Sequence, residues 1–208
     1  MALSLTALAE VAAQTTELIS ALRRNVVLVR GRDGHGAGVV WEGQAGGRMG
    51  LVVTNDHVVR GDRATVEAAD GRHLEARVTA RDRDNDLALL SVPALGLRAA
   101  PVGDSRALRV GELIIAVGHP WGVREAATLG IVSAVGPQTW MGRARRDLLQ
   151  ADVRLAPGNS GGPLADAGGR VVGIASIVMS PGVALAVPSH VVERFVRSAS
   201  AREYRQAA

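Results

Sequence analysis

Short runs of β-branched and aliphatic residues, separated by glycine and polar residues, recur along the chain from about residue 25 to residue 188. The first half of the chain contains six such runs: Val26–Val29, Gly38–Trp41, Leu51–Thr54, Arg63–Glu67, Glu75–Thr79 and Leu87–Val92. The second half contains five more: Leu113–Val117, Ala126–Ser133, Asp147–Val153, Val171–Ser176 and Gly182–Val187. Runs of this length and spacing are typical of β-sandwiches and β-barrels. The pattern therefore predicts an all-β fold.

The two ends of the chain show a helical period instead. Near the N-terminus, Leu8, Val11, Leu18 and Leu22 recur at intervals of three, four or seven residues, with polar residues between them. After Pro188, apolar residues at positions 191, 192, 195 and 196 recur with the same helical period. We therefore expect a helix at each end, the first of them amphipathic and docked on the domain.

The amino-acid composition excludes several kinds of catalytic and binding site. The 208 residues are 47% hydrophobic but only 2% aromatic, so aliphatic side chains must build the core. There is no cysteine, which excludes disulfides, thiolate metal sites and a cysteine nucleophile. All 24 basic residues are arginine, and the absence of lysine excludes Schiff-base chemistry and a P-loop. The net charge is only +4, and few aromatic residues are present to stack on bases, so we expect no nucleic-acid binding even around Arg143, Arg145 and Arg146.

A glycine-rich segment of nine residues, APGNSGGPL, spans Ala156 to Leu164. Glycine permits positive φ and lets a ligand approach the main chain closely. Backbone N–H groups here can converge on one point, as an oxyanion hole requires. We predict that Gly158, Asn159 and Ser160 form this hole and that Ser160 is a nucleophile. An ordinary glycine-rich turn containing a serine is the alternative.

A serine nucleophile needs a base, and the base needs a group that orients it. His57 follows a strand-like run and is the one histidine of five whose context indicates catalysis. Three carboxylates, Asp82, Asp84 and Asp86, precede the run that begins at Leu87. Each is a candidate for the orienting group, and Asp86 adjoins the buried run.

The strings TNDHVV, DNDLALL and APGNSGGPL, in this order and spacing, resemble trypsin-like serine proteases of the bacterial HtrA (Deg) type. The resemblance extends from about Asn25 to Val196. It implies that Ser160 is the nucleophile, His57 the general base and Asp86, rather than Asp84, the orienting carboxylate. It covers the protease domain only, and we expect no PDZ domain after Val196.

The resemblance implies two six-stranded antiparallel β-barrels, with the active site in the crevice between them. His57 and Asp86 belong to the first barrel, and Ser160 belongs to the second. We expect four units: an N-terminal helical segment at residues 1–24, the first barrel at 25–105, the second barrel at 106–190 and a C-terminal helix at 191–208.

The resemblance also implies a preference for small aliphatic residues before the scissile bond. Relatives that cut after basic residues carry an aspartate six positions before the nucleophile, where this chain has Arg154. Arg154 therefore either faces solvent or favours acidic substrates. The predicted substrate-binding residues are Arg154, Leu155, Ile174, Ala175, Ser176 and Ile177. The segment from Ile174 to Ile177 would pair with an extended substrate strand.

No metal or other cofactor is expected. A calcium loop starting at Asp82 would need glycine and glutamate at its sixth and twelfth positions, where Leu87 and Pro93 stand. No two histidines show the helix-borne spacing of a zinc site. We expect His35, which lies among glycines, to be a surface turn residue.

The function predicted from the sequence is that of a serine endopeptidase acting on proteins or peptides, in protein quality control or processing. A catalytically idle trypsin fold that binds peptides or partners is the alternative. The sequence does not decide between a monomer and a trimer. No apolar run approaches the roughly 18 residues of a membrane span. The N-terminus lacks the positive region of a signal peptide, so we expect a cytoplasmic protein. The periplasm or cell envelope is the alternative if the N-terminus was trimmed.

Overall fold

A computed structural model describes residues 5–41, 49–94, 96–123, 126–139, 146–180 and 182–207. The strands of its first half are β1 (Val26–Arg30), β2 (His35–Trp41), β3 (Met49–Thr54), β4 (Arg63–Glu67), β5 (His73–Asp82) and β6 (Leu87–Pro93). Those of its second half are β7 (Leu113–Gly118), β8 (Ala126–Gln138), β9 (Arg146–Asp152), β10 (Pro163–Asp166), β11 (Val171–Ser180) and β12 (Val183–Pro188). Helix α1 (Leu5–Arg23) precedes the strands and α2 (Ser189–Ala207) follows them.

The strands close into two antiparallel barrels. Neighbours in the first follow the order β1, β2, β3, β6, β5, β4, and in the second β7, β8, β9, β12, β11, β10. The predicted fold class, two six-stranded barrels with a helix at each end, is confirmed. The one strand that the sequence pattern missed is β10, because its apolar run is short and begins with Pro163, which has no N–H to donate.

Each barrel encloses its own aliphatic core. The interior of the first is built from valine, leucine and alanine, including Val27, Val52 and Leu90. The interior of the second includes Ile114 and Leu149. Full burial of each such side chain contributes about 1.5–3 kcal/mol, so aliphatic packing compensates for the low aromatic content.

A third cluster, which we call the inter-barrel cluster, joins the two barrels to α2. Its members are Val39, Trp41, Leu51, Val53, Leu87 and Leu89 from the first barrel, Ala100 from the connecting segment, Val171, Ile174 and Val187 from the second barrel, and Val191, Val192 and Val196 from α2. The cluster fixes the first barrel against the second. It thereby fixes the crevice in which residues from both barrels meet.

Helix α1 packs on the outside of β1 and β7. Its last turn buries Leu22 against Val26, Ala37 and Ile115. The helix ends where Asn25 donates its backbone N–H to the Leu22 carbonyl at 2.9 Å. Neither α1 nor α2, within the described residues, is long and apolar enough to cross a membrane.

Candidate active site

His57 and Asp86 are in direct contact. The Nδ1 atom of His57 lies 2.7 Å from Oδ2 of Asp86, and the His57 backbone N–H donates to Oδ1 at 3.0 Å. Because an ionised carboxylate can only accept hydrogen bonds, Nδ1 carries the proton. In the neutral ring Nε2 is then unprotonated and able to accept a proton.

Strand pairing explains why these two residues meet. The end of β3 lies beside the start of β6, His57 sits in a 3₁₀ turn directly after β3, and Asp86 directly precedes β6. Two further bonds hold the segments together, because the Asn55 side-chain amide and the Asp56 backbone N–H donate to the Asp86 carbonyl at 2.8 and 3.2 Å. Asp86 is therefore held through both its carboxylate and its backbone.

The contact with Asp86 raises the pKa of His57 above its ordinary value of 6.5. The hydrogen bond from the ring to Asp86 is the largest cause; burial of the ring lowers the pKa, and the charges of Asp86 and Asp56 raise it. A carboxylate that stabilises the imidazolium form strengthens the ring as a proton acceptor. The His57 side chain is 50% exposed, so a ligand can reach it.

Ser176, on β11, connects Asp86 with Ser160. Its hydroxyl donates to Oδ2 of Asp86 at 2.6 Å, and its carbonyl accepts a hydrogen bond from the Ser160 hydroxyl at 3.4 Å. Within the described residues, the Ser160 hydroxyl thus makes its hydrogen bond to Ser176 rather than to His57. Proton transfer to His57 requires the Ser160 side chain to turn away from Ser176.

The glycine loop, residues 156–164, holds Ser160 at the crevice through its backbone. The Ser160 carbonyl accepts from the N–H of Ala37 at 2.8 Å, and the next residue, Gly161, donates to the Ala175 carbonyl at 2.8 Å. Gly161 has φ of +85°, and a Cβ there would lie 2.1 Å from the Ala37 carbonyl oxygen. Only glycine fits this position, which accounts for part of the motif.

Two backbone N–H groups of the glycine loop are unengaged. Those of Gly158 and Ser160 donate to no acceptor within the described residues, whereas that of Asn159 donates to the Ala156 carbonyl at 3.0 Å. The Pro157 carbonyl accepts from the N–H of Trp121 at 2.9 Å. Because a trans peptide directs its C=O and the following N–H to opposite sides, the Gly158 N–H points away from Trp121.

Backbone strain is concentrated at this site. Among the described residues, the non-glycine residues with positive φ are Asp86 and Trp121, each at 55°. Such conformations cost of order 1–3 kcal/mol and cluster at functional sites. One of the two residues orients His57, and the other holds the peptide that precedes Gly158.

Comparison with known proteins gives the family. A model of the trypsin-like peptidase domain matches residues 36–174. The chain belongs to the trypsin-like peptidase family. It is 37% identical over 179 residues to the chloroplastic protein named Protease Do-like 1 of Arabidopsis thaliana, in an alignment that covers 79% of this chain and 40% of the relative. It is 36% identical over 167 residues to the periplasmic serine endoprotease DegP of Escherichia coli K12, over 76% of this chain and 34% of the relative.

Solved structures of similar proteins support the same family. The HtrA-type protease AlgW, in a structure with a tripeptide, superposes with a TM-score of 0.80 at 30% identity, over 88% of this chain and 62% of that chain. The chain therefore spans 40% or less of the two curated relatives and about three fifths of AlgW. The identification of an HtrA-type protease domain from its sequence strings is confirmed, as is its relationship to serine endopeptidases.

Sequence reasoning missed a clamp on the histidine segment of this trypsin-like peptidase domain. The Arg81 guanidinium forms an ion pair with Asp56 and donates to the carbonyls of Val59 and Gly61 at 2.9 and 2.6 Å. These three partners flank His57 on both sides, and both charged side chains are only about a fifth exposed. Asp56 thus anchors the histidine segment to β5. The charge pair gave no local sequence signal, because the two residues are 25 positions apart.

A cavity of about 230 Å³ lies beside the pair of His57 and Asp86 and is also bounded by Ser176, Arg83 and Arg146. Ser176 is the one predicted substrate-binding residue among those that bound this cavity.

The other predicted substrate-binding residues lie elsewhere. Arg154 is exposed, and its carbonyl accepts from the Thr128 hydroxyl at 3.1 Å. Leu155 packs against the interior of the second barrel, and Ile174 is fully buried in the inter-barrel cluster. Ala175 exchanges backbone hydrogen bonds with the glycine loop. The Ile177 side chain falls outside the described residues, as do Arg143 and Arg145.

The expectation that His35 is a surface turn residue is wrong. His35 begins β2 opposite Arg30, and its Nε2 atom is buried with no hydrogen-bond partner in the described residues. That nitrogen lies 3.2 Å from the position that a Cβ of Gly158 would occupy. Local glycine content indicated a turn, but pairing with β1 decided the conformation. Among the described residues, no three metal-ligating side chains are grouped to hold an ion.

Proposed function

We propose that this chain is a serine endopeptidase domain in which Ser160, His57 and Asp86 form the catalytic triad. The observation that carries the proposal is the contact of 2.7 Å between His57 Nδ1 and Asp86, which leaves Nε2 free to act as base. The connection of Asp86 to Ser160 through Ser176 supports the assignment of the nucleophile.

In the proposed mechanism, Ser160 Oγ attacks the carbonyl carbon of the scissile peptide while His57 Nε2 takes its proton. The tetrahedral intermediate then collapses, the C–N bond breaks, and the imidazolium donates its proton to the leaving amine. A water molecule, activated in turn by His57, hydrolyses the Ser160 ester and releases the acid. Asp86 keeps the ring in the required tautomer and stabilises its positive charge throughout.

The N–H groups of Gly158 and Ser160 are the proposed donors to the oxyanion. Neither N–H has an acceptor in the part of the chain that the structure describes, and Trp121 engages the Pro157 carbonyl; both observations support a hole that is formed before substrate arrives. Each such donor is worth about 2.7–4 kcal/mol in the transition state. Asn159 was included in the predicted hole, but its N–H is engaged with Ala156, so we assign the role to its two neighbours.

The proposed substrate is an extended polypeptide that pairs with the edge of β11 beyond Ser176, where β10 has ended. A preference for small aliphatic residues before the cut, a role in quality control or processing, and the choice between monomer and trimer stay predictions from the family resemblance. We place the protein in the periplasm or cell envelope, because DegP is named a periplasmic enzyme. The cytoplasmic location expected from the sequence has no support in the comparisons.

A fluorophosphonate probe tests the proposal. We expect covalent labelling of the wild type at Ser160, loss of labelling in Ser160→Ala, and loss of peptide hydrolysis in the same variant. Ser20→Ala, at an exposed position of α1, is the matched control and should label normally. A wild type that is folded but neither labels nor cleaves peptides would contradict the proposal and favour the idle peptide-binding module.

A further inference from the structure

We infer that a row of arginines beside the active site binds an acidic segment of the polypeptide being cleaved. The inference rests on the proposed peptidase function and adds a substrate class to it. The residues concerned, which we call the arginine groove, are Arg77, Arg83, Arg146, Arg194 and Arg202.

Three adjoining cavities make the groove continuous with the active site. The cavity that contains His57 is also bounded by Arg83 and Arg146. A second, of about 490 Å³, shares Arg146 with the first and adds Arg194. A third, of about 880 Å³, shares Arg194 with the second and runs between β5 and α2 as far as Arg202. A chain held in the groove therefore leads directly to the catalytic histidine.

The positive charge of the groove is not neutralised from within. In the part of the chain that the structure describes, Arg77, Arg146, Arg194 and Arg202 have no ion-pair partner, and Arg83 is 4.0 Å from Asp56 with its side chain 83% exposed. Some arginines outside the groove are neutralised by an acidic neighbour.

Arg170 and Arg197, for example, pair with Asp166 and Glu193 at 2.8 and 3.3 Å. Three carboxylates also line the groove: Asp82, which accepts two bonds from Asn85, Asp84, and Asp147, which contacts His190. The five arginines outnumber them, so the groove keeps a net positive charge.

Arg77 stands opposite another arginine. In the ladder between β4 and β5 its direct partner is Arg63. Like charges at directly opposed positions destabilise a sheet. A carboxylate bound between the two guanidinium groups would remove this repulsion, since arginine and carboxylate form strong bidentate hydrogen bonds.

The shape of the groove favours a polypeptide over a small anion. Its floor is apolar and is formed by Val78, Ala80, Val191, Phe195 and Ala199. Within the described residues, β4 pairs with β5 only up to Arg77, so the β5 edge from residue 79 to residue 82 has no second strand beside it. An extended chain can form main-chain hydrogen bonds with such an edge while its acidic side chains meet the arginines.

Cleavage of matched peptides provides one test. Three fluorogenic peptides share one scissile sequence and carry four flanking residues that are all glutamate, all glutamine or all lysine, placed on either side of the cut. We expect kcat/KM to be about tenfold higher for the glutamate than for the glutamine peptide, since an exposed ion pair contributes roughly two- to fivefold. The glutamate peptide should be cleaved faster only when its glutamates lie on one particular side of the scissile bond. The difference in kcat/KM should become smaller as the salt concentration is raised.

Substitutions of the groove arginines test whether the preference for the glutamate peptide depends on the groove. The combined change Arg83→Gln, Arg146→Gln and Arg194→Gln should abolish the preference for glutamate, and the corresponding lysine variant should retain part of it. Arg197→Gln, on the same helix as Arg194, is the matched control and should keep the full preference. Thermal denaturation verifies that each variant is folded.

Binding to Ser160→Ala, followed by fluorescence anisotropy of the labelled peptides, tests the inference independently of catalysis. If the glutamate peptide binds more tightly than the glutamine peptide, and the triple variant loses this difference, the groove is supported even when no hydrolysis occurs. An absence of fluorophosphonate labelling counts against the peptidase function alone. Equal cleavage and equal binding of the glutamate and glutamine peptides would overturn the inference. The inference would also be overturned if a single-stranded oligonucleotide bound through the same arginines and the glutamate peptide did not bind.

Discussion

Replacing Gly158 by alanine tests the proposed oxyanion hole at its most constrained point. The added Cβ would lie 2.2 Å from the His119 carbonyl oxygen, and real Cβ contacts essentially never fall below 3.0 Å. The φ of +105° adds strain for any residue with a side chain. The backbone must therefore shift by about 1 Å, and a misplacement of that size can reduce a rate about 100-fold.

Loss of the Gly158 N–H as a donor would cost about 2.7–4 kcal/mol, which corresponds to a fall in kcat of about 10²–10³-fold. We expect this fall in steady-state hydrolysis of a fluorogenic peptide, with slower fluorophosphonate labelling and little change in KM. Gly34→Ala is the control, because a Cβ there meets nothing within 4 Å and the residue lacks a positive φ. If Gly158→Ala were folded and kept a kcat within about threefold of wild type, the assignment of this donor would be refuted.

Two further predictions follow from the histidine segment. Arg81→Gln removes the ion pair with Asp56 and leaves two carbonyls without their donor, so urea denaturation should show a loss of about 1–3 kcal/mol, less than for a fully buried pair. The kcat should fall as well, whereas Arg32→Gln, which removes an exposed arginine without an ion-pair partner in the described residues, should change neither quantity by much. The raised pKa of His57 places the acidic limb of the kcat/KM profile above pH 6.5, because the base must be unprotonated. Asp86→Asn should move that limb to lower pH while reducing kcat by about 10⁴-fold, and a limb that does not move would contradict the assigned cause.

The His57 pKa also has a consequence for stability, and its sign is opposite to that for activity. A pKa raised by folding means that the folded state binds the proton more tightly than the unfolded chain does. The resulting stabilisation is fully present below the unfolded pKa of about 6.5 and is lost as the pH rises through the raised value. Its size is limited because half of the His57 side chain is exposed.

The chemistry of the site could be predicted from the sequence where it is encoded locally. The glycine loop is one example, because Gly161 leaves no room for a side chain. His57 and Asp86 are others, since His57 follows a β-branched run and Asp86 directly precedes the apolar run that begins at Leu87, and such runs fix the barrel strands. The all-β class was predictable for the same reason, as short apolar runs and glycine spacing indicate every strand except β10, whereas the two-barrel arrangement was expected from the family resemblance.

Other parts of the site depend on contacts between distant segments. The Arg81 clamp requires the register of β5 against the turn after β3, and a chain with 24 arginines gives no indication of which one pairs with Asp56. Trp121 contributes a backbone N–H, so its side chain carries no signal of the role. Ser176 left a weak signal, as a hydroxyl residue at the end of an apolar run.

The strained backbone at Asp86 and the packing between the barrels balance each other through adjacent residues. The positive φ of Asp86 costs of order 1–3 kcal/mol, and the next residue, Leu87, is fully buried in the inter-barrel cluster. Burial of a leucine contributes about 1.5–3 kcal/mol, which is the same size as the strain. The side chain that anchors the strand in the core therefore also offsets the conformation that turns the carboxylate toward His57. Weakening the cluster at Leu87 should therefore loosen the backbone conformation that directs the Asp86 carboxylate toward His57.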